Sequence, residues 1–414
     1  MTPAANPRPR ADLVIQGASE VLTCAGGPAD PLGRIPTGVV AIGGETILAV
    51  GPEEDVWAAV DLSAAETVDA GWGVVAPGFV DAHTHLVFGG SRVLEYAARL
   101  TRTREEVETL GIPVGIMATV EMTRAEDADS LLLAAAARLD AMLAHGTTTA
   151  ESKSGYGLDP RTELELLHVN RLLDEAHEID VVSTFMGAHD FPPGISRAAY
   201  VDQVIDEMIP RVAHSRLARF CDVFCDEGYF TVEQSRRILE AGAQVGLAPK
   251  IHADQYADVH GADLAADLGA VSADHLNFSA PGGLRRMAAA GVTAVLMPLM
   301  DFAVRHPRPI RAREWVDAGL RIAIGTDLCP GGYAVSMPLA VQFACRVNGL
   351  SPAEAMTAAT LGSAVACGLP DRGALEPGRL ADVQIWDVAT LEDMVYRIGH
   401  NPVRSVIKNG KVVA

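Results

Sequence analysis

The sequence predicts an α/β fold: a TIM-type (β/α)8 barrel carrying a small β-sandwich domain built from both chain ends. Three observations predict it. Short alternating strands cluster near the two termini, apolar runs alternate with amphipathic helices between them, and those runs number eight. At about 150 residues per domain, 414 residues supply two or three domains' worth of chain.

The terminal strands come first. Asp12–Gln16 and Val39–Ile42 alternate, and Gly43-Gly44 closes the second with a hairpin turn. Ala381–Trp386 and Val406–Val412 look the same, the latter broken by Asn409-Gly410. Neither end has strands enough for a sheet of its own. Residues 1–73 and 376–414 are therefore expected to form one composite β-sandwich, with a barrel over 74–375 inserted between its halves.

The eight apolar runs are Val74–His85, Thr147–Lys153, Val181–His189, Cys221–Asp226, Lys250–Asp254, Ser272–Leu276, Thr293–Pro298 and Ile322–Asp327. Helices are expected between them. Asp127–His145 carries an apolar stripe at helical spacing and stops at Gly146. Thr231–Gln234 and Ser351–Glu354 read as capping boxes, with Pro352 where a first turn tolerates it. An open doubly wound sheet would need a glycine-rich phosphate turn after its first strand, where Asp81-Ala-His-Thr-His85 stands instead.

Composition narrows the function classes. Against 53 acidic residues stand 33 basic ones, a net charge of −20, which excludes a binder of nucleic-acid backbone. No apolar run approaches the roughly 20 residues that cross a bilayer, so no membrane partner is expected. The first ten residues carry Pro3, Pro7 and Pro9 and lack the apolar stretch of a secretion signal. The six cysteines are scattered without a CxxC pair, and the expected location is the cytoplasm.

The polar residues point to chemistry. Barrel strands want aliphatic interiors, yet here the runs end in His83 and His85, His189, Asp226, His252, His275 and Asp327. Such barrels do their chemistry at the C-terminal strand ends. In a strand, residues i and i+2 share a face, so His83 and His85 project together and can reach one divalent ion at about 2.0–2.1 Å. His252 and Asp327 complete a set of three imidazoles and one carboxylate, which suits zinc or iron (Fe2+/Fe3+) and leaves a position for water. Alone, Asp327 would read as a helix N-cap; within the set it reads as ligand and proton acceptor. His275 is expected to hold a substrate carbonyl or developing oxyanion. The fourth run, Cys221–Asp226, has no lysine to bridge a second ion, so one ion per chain is expected.

These stretches resemble the amidohydrolase superfamily: Pro77–Gly90 followed by Arg92, Glu151–Leu158, Met186–His189, Ile251–Gln255, Ser272–Leu276 and Gly325–Leu328. The Ser152–Leu158 stretch, SKSGYGL, is the most specific, and it is similar to the branch that opens 4-imidazolone-5-propanoate to N-formimino-L-glutamate. The resemblance implies that Arg92, Tyr156 and His189 receive the propanoate of a small anionic heterocycle. It also implies a homodimer. Gln255 stands where deaminating relatives carry a glutamate; an amide cannot shuttle protons, but it can hydrogen-bond a ring nitrogen. Departures fall in the pocket. Arg104 replaces a tyrosine near the substrate, Ile112–Gly115 replaces a glycine run, Leu299–Val304 replaces a more aromatic stretch, and Cys329-Pro330-Gly331-Gly332 replaces Asn-Pro-Gly-Ser in a product-contacting loop. Those changes leave open a related thio- or oxo-imidazolone acid. A heteroaromatic amine deaminase and a catalytically silent assembly protein are the other readings, and the latter usually loses ligands that are all present here.

Overall fold

A computed structural model describes residues 8–27 and 30–414. Residues 1–7 of the stretch read above for a secretion signal lie outside the described residues. Eight parallel strands follow one another in chain order: β1 (Phe79–Asp81), β2 (Thr147–Lys153), β3 (Asp180–Ala188), β4 (Phe220–Cys225), β5 (Ala248–Ala253), β6 (Ser272–His275), β7 (Thr293–Leu296) and β8 (Arg321–Ile324). Ladders join each strand to the next from β1 to β8.

The last junction, β8 to β1, closes by loop contacts rather than by a regular ladder. The Ala82 amide donates to Ile324 O at 3.2 Å, the Asp327 amide to His83 O at 2.9 Å and the His85 amide to Leu328 O at 2.9 Å. Asp81 adds a clasp, accepting from the Thr326 amide at 2.9 Å and from its hydroxyl at 2.6 Å. The residues that close the barrel therefore sit beside those expected to hold the ion.

Helices cover the strands as their patterns require. Asp127 caps Ala128–Leu143 by accepting from the Ser130 amide at 2.7 Å, and Gly146 turns the chain out at φ +81°. Both expected capping boxes are present. No helix among the described residues is long and apolar enough to cross a membrane.

The chain ends form two sheets. The four-stranded one runs Thr46–Gly51, Val39–Gly43, Leu13–Gln16, Glu66–Asp69; the six-stranded one runs Lys411–Val412, Val403–Lys408, Val383–Trp386, Val74–Pro77, Glu20–Leu22, Arg34–Pro36. One apolar core joins Ile15 and Val40 of the first to Val75, Val383 and Ile407 of the second, as a sandwich requires. One boundary differs from expectation. Val74–Pro77, read as the start of the first barrel strand, instead pairs antiparallel with Val383–Trp386 and parallel with Glu20–Leu22. Pro77 has no amide to extend a ladder. At Gly78 the backbone passes Thr148 so closely that a Cβ would stand 2.4 Å from its side chain. The apolar run is continuous, but the chain changes sheets there.

Gly325 sets the tightest contact of the closing junction, since a Cβ there would lie 2.6 Å from His83 Cβ and 2.9 Å from its amide nitrogen. Gly325→Ala is expected to cost about 1–3 kcal/mol through overpacking. Thermal unfolding measures it, and an unchanged midpoint would contradict this account of closure.

Candidate active site

His83 and His85 follow β1, His252 lies near the end of β5, His275 ends β6 and Asp327 follows β8. All five are buried. Ligand-type atoms of His83, His85 and Asp327 lie within 4.8 Å of one another, and so do those of His83, His252 and His275. His83 Nε2 stands 3.5 Å from Asp327 Oδ1. His275 thus comes as near as the four expected ligands do.

The imidazoles are oriented from behind. His83 Nδ1 donates to Asp274 Oδ2 at 2.7 Å and His252 Nδ1 to Asp222 Oδ1 at 3.1 Å. A carboxylate only accepts, so each ring carries its proton on Nδ1 and turns a bare Nε2 forward. Both Nε2 atoms are buried without a hydrogen-bond partner among the described residues, as is His275 Nδ1. Burial, followed by neighbouring positive charge, holds His83, His85 and His252 well below the usual histidine range. Burial pulls His275 to about 3 and His189 to about 4. Burial, then the charges of Asp274 and Asp81, raises Asp327 well above the usual carboxylate range. Neutral rings with convergent lone pairs, plus a carboxyl short of positive charge, fit a bound cation.

Behind the two carboxylates lies a charge cluster that the motif reading overlooked. Lys153 Nζ sits 2.7 Å from Asp222, 3.1 Å from Asp274 and 3.1 Å from Glu151, all wholly buried. Lys250 Nζ lies 2.7 Å from the other oxygen of Glu151. Burial works against charge on Lys153, but the three acids outweigh it and raise the ammonium well above its ordinary range. A signal was available: Glu151 and Lys153 share one strand face, and Asp222, Lys250 and Asp274 interrupt otherwise apolar strands.

Gln255, Arg92, Tyr156, His189, Arg104 and Gly331 all line the cavity above the histidines. His189 stacks on His85 at 4.7 Å between ring centroids, with Nδ1 donating to Gly155 O at 3.0 Å. Tyr156 stands 5.4 Å from the His85 ring. Its loop wraps a buried carboxylate: Glu163 accepts from the amides of Gly155 at 3.0 Å, Gly157 at 2.7 Å and Leu158 at 2.8 Å. Arg104 lies at the exposed rim, paired with Glu108 at 2.8 Å. Asp226 does not join the ligand groups. Its carboxylate accepts from the amides of Tyr256 at 2.8 Å, Ala257 at 3.1 Å and Glu227 at 2.7 Å, so it anchors the loop after β5.

Comparison with known proteins agrees with this geometry. The amidohydrolase family profile matches residues 74–413. An imidazolonepropionase from Geobacillus kaustophilus is 44% identical over 97% of both chains. One from Brevibacillus brevis is 45% identical over 96% of this chain and 97% of its own. Among solved structures, a zinc-bound adenosine deaminase from Xanthomonas campestris superposes with a TM-score of 0.69, covering 98% of this chain and 93% of that one. At 20% identity that likeness establishes the fold alone.

Replacing Lys153 leaves three buried acids sharing one remaining ammonium. Lys153→Met is expected to lose about 3–5 kcal/mol of stability. Urea unfolding checks it, and a loss under about 1 kcal/mol would show that the cluster is hydrated rather than ion-paired.

Proposed function

The chain belongs to the amidohydrolase family, and from that premise we propose that it hydrolyses the cyclic amide bond of 4-imidazolone-5-propanoate to N-formimino-L-glutamate, a step of histidine degradation. The observation that carries the reading is that His83 shares one group of ligand-type atoms with His85 and Asp327 and another with His252 and His275, beneath a cavity walled by Arg92 and Tyr156. The imidazolonepropionase relatives, similar over nearly the whole chain, support the substrate.

His83, His85, His252 and Asp327 would hold one zinc or iron ion per chain, which when bound supplies Lewis-acid polarisation and a more acidic water. His275 stands within ligand range as well, and its role here is to hold the carbonyl oxygen of the ring. Neutral at pH 7, it offers one ring N–H to the charge that develops there. Asp327 takes a proton from the attacking water as the new C–O bond forms at the carbonyl carbon. It then returns that proton to the ring nitrogen as the C–N bond breaks, leaving a carboxylate and the formimino amine. Gln255 lines the cavity, and its amide can hydrogen-bond a ring nitrogen but cannot serve as a proton shuttle, which favours ring opening over deamination. Lys153 is occupied by three ion pairs and is not free to bridge a second ion.

Purified protein is expected to remove the ring's ultraviolet absorbance. Asp327→Asn should lower kcat by about 10²–10⁴-fold. Chelation should abolish turnover, and one equivalent of zinc or iron should restore it. Inactivity of the metal-loaded enzyme toward the imidazolone, with ammonia released from ring amines, would move the assignment to deamination.

A further inference from the structure

Resting on that reading, we propose that Glu95 is a positioning residue that aims Arg92 at the substrate carboxylate. Arg92 is the N-cap of the helix Val93–Arg99. Glu95, one turn on, grips it side-on: Oε2 accepts from Nε at 2.6 Å and Oε1 from Nη2 at 3.0 Å. The same carboxylate accepts from the Gly115 amide at 3.2 Å and pairs with Arg99 Nη1 at 3.6 Å. It lines the cavity, yet Glu95 is only 4% exposed.

An ion pair one helical turn apart on a wet surface contributes little. This one is different in kind, because it is desolvated and ties together the helix Val93–Arg99 and the start of Gly115–Ala125. A guanidinium can present its Nε/Nη2 side or its Nη1/Nη2 end to a carboxylate. Glu95 occupies the side. Nη1 is left reaching toward Gly331, where a Cβ would stand 3.4 Å from it. The substrate's carboxylate is therefore offered the Nη1/Nη2 end of the guanidinium, where one N–H of each nitrogen remains free of Glu95, together with the Tyr156 hydroxyl. Glu95 holds the long side chain in one rotamer, so that ordering is not lost again when the acid binds.

The test compares steady-state kinetics on 4-imidazolone-5-propanoate and on its propanamide analogue, which has the same ring without the charge. Glu95→Ala is expected to raise KM for the acid about tenfold or more while kcat stays within about threefold. KM for the amide should stay within about twofold of wild type. Glu95→Gln keeps the shape and one acceptor, so it should recover part of the KM for the acid; it also supplies the same comparison if the alanine variant does not fold. An unchanged or lowered KM for the acid, or equal losses on both substrates, would overturn the proposal. A wild-type enzyme inactive on both would sink the functional reading, and this inference with it.

Discussion

A single buried ammonium organises the barrel mouth. Lys153 meets Asp222 and Asp274, and those two acids hold the Nδ1 protons of His252 and His83. Without the ammonium, two carboxylates deep in an apolar barrel would repel one another and take up protons. Protonated acids would no longer demand an Nδ1–H from the rings, and the direction of the lone pairs would be unspecified. The tautomer of His83 and His252 thus depends on a charge that touches neither an ion nor a substrate.

The same economy appears at the junction between the last and first strands. Asp81 and Thr326 join across it, and the backbones of His83 and Asp327 are hydrogen-bonded directly. Closure and ligand geometry share atoms, so the spacing between His83 and Asp327 is fixed by the barrel itself. The cavity walls are freer. Arg104 at the rim and the loop Cys329–Gly332 lie outside this framework.

Much of this was legible in the amino-acid sequence, for definite reasons. Strands with apolar interiors that end in histidine or aspartate betray themselves, because burying such residues without a purpose is costly. Val74–Pro77 was misplaced because one apolar run serves two sheets, and the switch at Pro77-Gly78 is a matter of tertiary crowding. Asp226 shares the strand-end position of the expected ligands but gathers loop amides instead, a difference that one dimension does not show. Lys153 was in view inside SKSGYGL with Glu151 two residues before it, but Asp222 and Asp274 come from two other strands and only folding brings them to it. Glu95 was hidden for a different reason: an arginine and a glutamate three apart usually lie on a solvated helix face.

The loop around Glu163 has a bearing on affinity as well as shape. With three of the four amides from Gly155 to Leu158 drawn onto one sequestered carboxylate, the loop has almost no slack, and Tyr156 is held between them. A ligand that docks against this wall meets a loop already ordered by its own hydrogen bonds, so little conformational entropy is left there to lose on binding.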